Sequence, residues 1–412
     1  MGERALAGVR VCDLSGQLAG AGATRFLAAF GAQVIRVEDP VRRGSWDILR
    51  GGRPYIDERR GPELGGAFNN HNVGKLGVTI DLRSPRGCDL FTRLVEVSDV
   101  VTENFAAGVL GSLGFPYERL REINPAVIYV SNSGFGHEGP YAHYKSWGPI
   151  VQALSGLTAT SGLAGHPPAG WGFSYMDHMG ANFMALAVLA ALVHRHRTGV
   201  GQWVDLAMTE VGLALAGPAL LDATVHGRSM RADGRPDSNH SESPAMAPHG
   251  VYPALGDDCW IAIACRDDAD WRALAAVIGD EWAWDARFDS LAGRRSCEAD
   301  LDRYIGRWTT ARDRHETAAT IRRAGVPAEA VQRPCDRIDN DDDTAAWGLW
   351  PSVRHPQIGE VRVDGLPIHL SRTDWHMERG APMLGQHNRE IFCDLLGIDD
   401  AEFGELHEAG VI

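Results

Sequence analysis

An aspartate at the start of a long apolar stretch is the first residue in this sequence whose surroundings suggest chemistry. Asp177 begins the segment DHMGANFMALAVLAALVHRHRTG, in which apolar residues fall on nearly every face of a helix. A helix with this pattern is typical of a protein core. An aspartate in that position commonly caps the backbone N–H groups of its helix. It can also stay ionised at neutral pH and act as a nucleophile without a general base.

Two features of the neighbouring sequence favour a nucleophile at Asp177. Gly180 and Ala181 occupy the first turn of the helix and leave open space beside the carboxylate. The preceding segment, AGHPPAGWGFS, is rich in glycine and proline, which is typical of a loop that forms the wall of a site. The residue pattern alone leaves both interpretations, cap and nucleophile, open.

A glycine-rich turn near the N-terminus suggests a second kind of chemistry. Gly16, Gly20 and Gly22 stand between two strand-like segments, and Glu38 ends the second of them, where a ribose-binding acid would lie. The spacing is G-x-x-x-G-x-G, however, and Arg25 takes the place of the last glycine in the dinucleotide fingerprint. The pattern therefore favours close packing of a helix on a strand. A dinucleotide-dependent oxidoreductase is the alternative class.

Metal chemistry is not predicted from the histidines or the cysteines. His178, His194 and His196 lie on one segment, but the last two are two residues apart and point to different faces of a helix. The 7 cysteines are odd in number and include no C-x-x-C pair, so neither a thiolate zinc site nor a disulfide framework is indicated. We expect no metal site.

The composition indicates a soluble globular protein. The 412 residues carry 40 basic and 54 acidic side chains, and the net charge of -14 argues against nucleic acid as a partner. The N-terminal segment lacks the layout of a signal peptide. The longest uncharged apolar run, from Ala181 to Val193, is shorter than the about 20 residues that span a bilayer. We expect a cytoplasmic protein that does not enter the membrane.

The elements that would position Asp177 follow an alternating pattern in the first part of the chain. The predicted strands are VRVCDL, QVIRVE, LGVTIDL, DVVTENF and AVIYVSNS, and helical segments separate them. One of these helices begins with Ser84 as its cap and Pro85 at its first position. Such alternation predicts an α/β fold, with a large Rossmann-like domain and a mainly parallel sheet.

The domain organisation follows from a change in composition. Residues 1–225 are predicted to form the first part of the large domain, residues 226–335 a smaller α+β domain, and residues 336–412 a return to the large one. The smaller domain is expected to contain a hairpin around Gly256 and Asp257. The late segment EIFCDLLG is predicted to be a closing helix.

Seven segments in a fixed order resemble one known family. They are GAQVIRVEDP, VTENFAAGVLGSLGF, REINPAVIYVSNSGFGHEGPY, VQALSGL, YMDHMGANFMALAVLAALVHRHRTGVGQWVDLAM, GVYPALGDDCWIAIAC and APMLGQHNREIF. The pattern is similar to that of the family III CoA-transferases, which include formyl-CoA transferase and carnitine CoA-transferase. The resemblance extends over nearly the whole chain.

The resemblance implies a fold, a nucleophile and a reaction. The family's fold is a large α/β domain and a smaller domain joined by linkers, with two chains threaded into an interlocked dimer. The family's nucleophile maps to Asp177. Its carboxylate would attack the donor thioester and pass through a mixed anhydride to an aspartyl-CoA thioester, from which the acceptor acid takes CoA. Coenzyme A and acyl-CoA are then substrates, and no cofactor is permanently bound.

The resemblance also implies which residues contact CoA. The implied contacts are Leu18, Ala19, Ile80, Asp81, Leu82, Arg83, Asn104, Phe105, Ala106 and Lys145, with Gln17, Arg42, Lys75 and Trp147 as further candidates. Lys75 and Lys145 are the only lysines in the chain. An arginine that the family uses after the second strand is Asp39 here, although Arg42 and Arg43 follow closely.

Departures from the family's pattern bear on the substrate. The glycine-run loop that covers the site of formyl-CoA transferase is absent, and the 241–249 region with SPAMAPHG stands in its place. Ser112 replaces another CoA-contacting arginine. Formate and oxalate are therefore disfavoured. The segment SNHSESPAMAPHGVYP resembles the same part of the family branch that acts on acids such as (R)-benzylsuccinate with succinyl-CoA as donor. Residues that favour a medium-sized or aromatic acid are Trp147, Trp171, Phe173, Met176 and Met246.

Two alternatives arise within the same family. The α-methylacyl-CoA racemases move a proton with a histidine and an acid, but these positions hold Trp147 and Gly148, so racemisation is disfavoured. Some transferases of the branch pair two related chains, and this chain would then be a non-catalytic subunit of a heteromer. The retention of Asp177 weighs against that role. We expect an acyl-CoA and a carboxylic acid as ligands, and an intertwined homodimer.

Overall fold

The computed structural model describes residues 4–162, 166–172, 174–228, 239–242 and 244–412. Phe173 and part of the 241–249 region lie outside these ranges. The described residues of Met1–Thr158, Gly170–Gly217 and Asp343–Ile412 form one compact unit, and those of Ala159–Ala169 and Pro218–Asp342 form a second.

A six-stranded parallel sheet is the centre of the first unit. Its strands are β1 (Arg10–Asp13), β2 (Gln33–Glu38), β3 (Leu76–Thr79), β4 (Val100–Glu103), β5 (Ile128–Ser133) and β6 (Trp203–Ala207). Their order is β3-β2-β1-β4-β5-β6, with Val11 opposite Val34 on one side and Val100 on the other. The predicted α/β fold with a parallel sheet is thereby confirmed. The chain reverses direction across the sheet between β1 and β4, and ligands of such sheets bind at the carboxyl ends of the strands there.

Helices cover both faces of this sheet, which is why its strands are apolar on both sides. The helices of the first unit up to the domain change are α1 (Ala19–Ala29), α2 (Gly66–His71), α3 (Pro85–Glu96), α4 (Val109–Ser112), α5 (Tyr117–Ile123), α6 (Gly148–Leu154), α7 (Tyr175–Thr198) and α8 (Met208–Leu215). Val11 packs towards α1 and α7, whereas its neighbour Cys12 packs towards α3. The predicted cap of α3 is confirmed, because the Ser84 hydroxyl accepts the N–H of Gly87.

The glycines of the first turn allow close packing. A Cβ on Gly20 would lie 2.3 Å from Cβ of Ser15, and a Cβ on Gly22 would lie 3.1 Å from Cβ of Ala181 on α7. Helix α1 can therefore approach both the end of β1 and α7. This is the packing role that the G-x-x-x-G-x-G spacing favours.

Helix α7 is buried on one side only, contrary to the expectation of a helix buried all round. Ala181, Met184 and Val188 face the core, whereas Leu186 is 62% exposed and Val193 is 51% exposed. Among the described residues, α7 has the length and apolarity that would also suit a membrane span, as core helices of soluble proteins can.

The second unit has its own sheet and core. Its elements are α9 (Gly217–His226), β7 (Ser241–Glu242), β8 (Ala245–Met246), β9 (His249–Pro253), β10 (Trp260–Ala264), α10 (Asp268–Ile278), α11 (Leu291–Ser296), α12 (Glu298–Thr310), α13 (Arg314–Arg323), β11 (Ala328–Ala330) and α14 (Pro334–Asp339). Strands β9 and β10 pair antiparallel across a turn that contains Gly256, so the predicted hairpin is confirmed. Trp271, Phe288 and Ile305 are buried in the core of this unit.

The last part of the chain returns to the first unit. Its elements are α15 (Asp342–Ala346), β12 (Ser352–His355), β13 (Gly359–Arg362) and α16 (Asp400–Glu408). A helix occupies the predicted segment EIFCDLLG, but Glu390–Leu395 is a π-helix, and it does not close the chain because α16 follows it. The residue before α16, Asp399, accepts the N–H of Glu402, so this second helix has its own cap.

Candidate active site

Two loops meet at the switch point of the sheet. The loop after β1 contains Gly16, and the loop after β4 contains Asn104. The N–H of Gly16 donates to Oδ1 of Asn104 over 2.8 Å, and Nδ2 of Asn104 donates to the carbonyl of Gly16 over 3.0 Å. A Cβ on Gly16 would lie 2.3 Å from the ring of Trp46, so a side chain has no room there. These contacts fix the floor of a cavity.

The cavity has a volume of about 300 Å³ and brings together many of the implied site residues. Those that line it are Gln17, Ala19, Asn104, Phe105, Ala106, Lys145, Trp147 and Asp177. Seven of these eight are implied CoA contacts or further candidates, and the eighth, Asp177, is the predicted nucleophile. These eight residues are far apart in the sequence and line one cavity in the structure.

A second cavity of about 250 Å³ gathers the other implied contacts. Its lining includes Arg42, Ile80, Asp81, Leu82 and Arg83. Trp46 and Phe105 line both cavities, and their rings meet edge to face with centroids 5.3 Å apart. The two cavities adjoin at this ring pair and suit the two ends of an elongated ligand.

Asp177 is the third residue of α7, and not its cap. The cap position belongs to Ser174, which has a left-handed backbone with φ 52. Burial raises the pKa of Asp177 from 3.8 to about 6, while hydrogen bonds to Ser174 and to its own backbone amide act in the opposite direction. A pKa of about 6 is compatible with the expectation that this carboxylate stays ionised at neutral pH. At neutral pH the carboxylate is still mostly ionised and able to attack.

Gly148, at the first position of α6, lies directly against the carboxylate. A Cβ on Gly148 would be 2.1 Å from Oδ2 of Asp177. This is the position at which the racemases have their acid, and the structure leaves no space for any side chain there. The preceding residue, Trp147, is 52% exposed and lines the cavity.

The two lysines have different environments. Lys145 is exposed at the edge of the Asp177 cavity. Lys75 has no exposed surface, and its Nζ lies 3.1 Å from Oδ2 of Asp13 and 2.9 Å from Oδ1 of Asn72. Burial lowers the pKa of Lys75 to about 8, and the charge of Asp13 opposes this effect. Lys75 lines neither cavity, and its contacts are those of a buried structural ion pair.

Leu18 also differs from its neighbours. It precedes α1 and its side chain is 6% exposed, whereas Gln17 and Ala19 on either side line the cavity. The apolar side chain of Leu18 belongs to the core.

Several residues of the cavity wall were not predicted from the sequence. They are Trp46, Ala107, Asn132, Ser133, Gly134, Phe135, Ala142, Tyr144, Ser146 and Met208. Of the residues thought to shape the acyl site, Trp147 lines the cavity, but Met176 is fully buried in the core and Trp171 is not in the wall. Met246 belongs to the second unit. The only available signal for Trp46 was its place just after the charged turn that follows β2.

Glu103 is hydrogen-bonded to Phe105, one of the aromatic residues that line both cavities. This last residue of β4 is buried, accepts the N–H of Phe105 over 2.6 Å and accepts the hydroxyl of Tyr129 over 2.8 Å. Burial raises the pKa of Glu103, and its hydrogen bonds oppose that shift. The ring of Phe105 is thus held at the boundary of the two cavities.

The alternative of a dinucleotide site depends on Glu38, and the structure assigns that carboxylate another partner. Oε2 of Glu38 lies 2.5 Å from Nη2 of Arg50, and the side chains of both residues are almost completely buried. A carboxylate held in this way is not free to bind a ribose. Within the described ranges, no group of histidines, cysteines and acids is arranged to hold a metal ion.

Comparisons with known proteins agree with this geometry. The family model "CoA-transferase family III" matches residues 6–388. A relative that is 35% identical, over 99% of this chain and 98% of its own length, is the succinyl-CoA–D-citramalate CoA-transferase of Chloroflexus aurantiacus. Another, 31% identical over 99% of this chain and 97% of its own, is the formyl-CoA:oxalate CoA-transferase of Rhodopseudomonas palustris.

A solved structure is similar to this chain over almost its full length. The crystal structure of a CAIB/BAIF family protein from Brucella suis is 30% identical, covers 95% of this chain and 100% of its own, and gives a TM-score of 0.86. The chain belongs to CoA-transferase family III. The predicted family, enzyme class and α/β fold are confirmed, and CoA thioesters are the substrates of this class.

Proposed function

We propose that this enzyme transfers CoA from an acyl-CoA donor, with succinyl-CoA as the first candidate, to a medium-sized or aromatic carboxylic acid. The proposal includes a covalent aspartyl-CoA thioester on Asp177. The observation that carries it is the position of this carboxylate. Asp177 lies in the wall of a 300 Å³ cavity that also holds Asn104, Phe105, Ala106 and Lys145.

The first half of the reaction would load CoA onto the protein. A carboxylate oxygen of Asp177 attacks the thioester carbonyl, the C–S bond breaks, and CoA leaves as a thiolate. The product is a mixed anhydride between the donor acyl group and Asp177. The thiolate then attacks the aspartyl carbonyl of this anhydride, which releases the donor acid as its carboxylate and leaves an aspartyl-CoA thioester.

The second half repeats these steps in reverse order. The acceptor carboxylate attacks the aspartyl thioester and releases the CoA thiolate, which gives a second anhydride. The thiolate attacks the acceptor's carbonyl, forms the new acyl-CoA and frees Asp177. Because each intermediate is open to hydrolysis, the site has to exclude water while it is occupied. The partial burial of Asp177 supports this requirement.

The choice of substrate rests on the cavity wall and on one relative. The aromatic side chains of Trp46, Phe135, Tyr144 and Trp147 line the cavity, which suits an acyl group larger than formyl. The relative from Chloroflexus aurantiacus is named for succinyl-CoA as donor. Since another relative is named for formyl-CoA and oxalate, that pair is the competing assignment.

We also propose an interlocked homodimer. The family resemblance implies it, and the exposed apolar side of α7, with Leu186 and Val193, offers surface that a second chain would cover. Light scattering should give twice the chain mass of 44.7 kDa at every concentration at which the protein stays folded. A folded monomer of 44.7 kDa would contradict the dimer. Activity that appears only after a related chain is added would indicate the heteromer.

The nucleophile is tested by trapping the intermediate. The enzyme is incubated with succinyl-CoA alone, digested, and analysed by mass spectrometry for a CoA adduct on the peptide that contains Asp177. Hydroxylamine should convert this adduct to a hydroxamate. The matched control is Glu210→Gln, which removes an exposed carboxylate from the first turn of α8. Asp177→Ala should abolish both adduct and turnover, and an Asp177→Ala enzyme with full activity would refute the mechanism.

The substrate is tested by a screen of carboxylic acids against succinyl-CoA and formyl-CoA, with product masses as readout. Transfer to acids of five or more carbons or with an aromatic ring is expected. Efficient transfer between formyl-CoA and oxalate, with no transfer to larger acids, would overturn the substrate assignment and leave the mechanism intact.

A further inference from the structure

The backbone of Gln17 is held in an unusual conformation beside the cavity. Its φ is 54, in the left-handed region that side chains other than glycine, asparagine and aspartate rarely adopt. Such a conformation is unfavourable for a residue with a side chain and persists where surrounding contacts enforce it. Gln17 lines the Asp177 cavity, so the strain lies at the site where the reaction is proposed to occur.

A buried aspartate supplies the contact that holds this conformation. The N–H of Gln17 donates to Oδ2 of Asp47 over 3.0 Å. Asp47 is 1% exposed, and its other oxygen, Oδ1, accepts the N–H of Leu49 over 3.0 Å. Both carboxylate oxygens of Asp47 are thus committed to backbone amides, one of them in the cavity loop.

Arg36 orients Asp47 and also contacts the same loop directly. Nη2 of Arg36 lies 2.8 Å from Oδ2 of Asp47, and Nη1 donates to the carbonyl of Ser15 over 2.6 Å. The guanidinium group is rigid and planar, so its two ends hold Ser15 and, through Asp47, Gln17 at fixed separation. Arg36 comes from β2 and is completely buried, which fixes the whole arrangement to the sheet.

The same aspartate fixes a second part of the wall, because Trp46 precedes it in sequence. The Trp46 ring rests against Gly16 and lines both cavities. One buried ion pair therefore contacts the backbone of Gln17 and adjoins Trp46, and both of these residues line the Asp177 cavity.

We infer that Asp47 is a positioning residue of the transfer reaction, which acts by holding Gln17 in its left-handed conformation in the wall of the Asp177 cavity. The pair Arg36–Asp47 serves this geometry in addition to the stability of the fold. The inference rests on the proposed function, because it assumes that the chemistry occurs at Asp177.

A double-mutant cycle separates positioning from stability. Gln17→Gly removes the amide and also adopts a positive φ without support, so Asp47 has nothing left to hold there. Asp47→Asn removes the charge that pairs with Arg36. We expect each single variant to lower kcat at least tenfold, with a change in the KM for acyl-CoA of less than threefold. The double variant should lie within threefold of the slower single variant.

Three further measurements make the result decisive. If Asp47→Asn does not fold, Asp47→Glu replaces it, because the longer acid keeps the charge beside Arg36 but moves the oxygen away from the Gln17 amide. The control Asp270→Asn breaks a comparable contact of an aspartate with an arginine and a backbone N–H in the second unit. It should lower the melting temperature without lowering kcat. Trapping of the Asp177 adduct in the wild-type enzyme tests the proposed function separately.

Two outcomes would overturn the inference while the adduct still forms on Asp177. One is a folded Asp47→Asn or Asp47→Glu enzyme whose kcat stays within threefold of the wild type. The other is a cycle in which the effects of Gln17→Gly and Asp47→Asn multiply, since independent effects would show that Asp47 does not act through Gln17.

Discussion

A methyl group on Gly148 would lie 2.1 Å from Oδ2 of Asp177, closer than any non-bonded contact allows. The first residue of α6 and the first turn of α7 therefore approach each other so closely that only a glycine fits between them. This contact shields one side of the carboxylate and contributes to the burial that raises its pKa to about 6. It also explains why a proton-transferring acid cannot occupy position 148.

The first prediction concerns Gly148→Ala. The added methyl group has to displace the carboxylate of Asp177, because Oδ2 of this residue is the nearest atom. The aspartate side chain is short, so its carboxylate cannot move away without leaving its position. A displacement of about 1 Å can cost of the order of 100-fold in rate, so we expect kcat/KM to fall by at least that factor. Steady-state kinetics with a fixed acceptor measures the effect.

A matched substitution controls for the general effect of adding a methyl group to a helix. Gly404 lies in α16 with open space around its Cβ position. Gly404→Ala should leave activity unchanged and stabilise the helix by about 1 kcal/mol. If Gly148→Ala is as active as Gly404→Ala, the close contact with Asp177 does not exist in solution.

The second prediction is the pH dependence of the first half-reaction. In the proposed mechanism only the ionised form of Asp177 attacks the thioester, and burial raises the pKa of this carboxyl to about 6. The rate of adduct formation from acyl-CoA should therefore be constant above pH 7 and should fall about tenfold for each unit below pH 6. Single-turnover mixing without an acceptor measures this rate and avoids titration of the acceptor acid.

The ligand has a titration of its own in this range, because phosphate monoesters have a second pKa of about 6. The experiment is therefore repeated with an acyl-dephospho-CoA, which lacks the ribose phosphate. The inflection should stay in place with this donor and in the Glu210→Gln enzyme. An inflection that disappears with the dephospho donor would assign the pH dependence to the ligand.

The third prediction is that removal of the Asp177 carboxylate, the proposed nucleophile, stabilises the protein. The Asp177 carboxyl ionises near its ordinary value of 3.8 when unfolded and at about 6 when folded, so ionisation favours the unfolded state. This penalty is absent below the unfolded pKa, grows as the pH rises to 6, and is complete above it. Asp177→Asn removes it and should gain about 1–3 kcal/mol at pH 7.5. Thermal melts of both proteins should converge near pH 4, and a gain that is equal at all pH values would contradict the cause.

Local signals in the sequence were sufficient for the elements of the first unit. Ser84 followed by Pro85 gives a helix start that depends on residues within one turn, and the structure has it in that place. The strands of a doubly covered sheet are apolar on both faces, so they stand out as short apolar runs. The family pattern then located Asp177, Asn104 and Lys145, which the fold brings into one cavity.

Contacts between segments that are far apart in the chain could not be predicted from the sequence. Trp46 and Tyr144 become part of the wall through tertiary packing, and neither lies in a local pattern that indicates a site. The phase of α7 was also ambiguous, because apolar residues on all faces do not reveal which side meets the core. In the structure Met176 lies in the core and Leu186 is exposed, which the sequence pattern did not distinguish.

The last prediction compares the two lysines, which differ in burial. We expect the exposed Lys145 to affect the binding of acyl-CoA and the buried Lys75 to affect the stability of the fold. Lys145→Gln removes a charge at the exposed edge of the cavity and should raise the KM for acyl-CoA about tenfold, with a smaller effect at high salt and no change in melting temperature. Lys75→Met leaves Asp13 buried without its cation and should destabilise the fold by about 3–5 kcal/mol. At temperatures where the Lys75→Met protein is folded, its KM should equal that of the wild type. The opposite pattern, with Lys75 changing KM and Lys145 changing stability, would contradict the expectation that Lys145 contacts CoA.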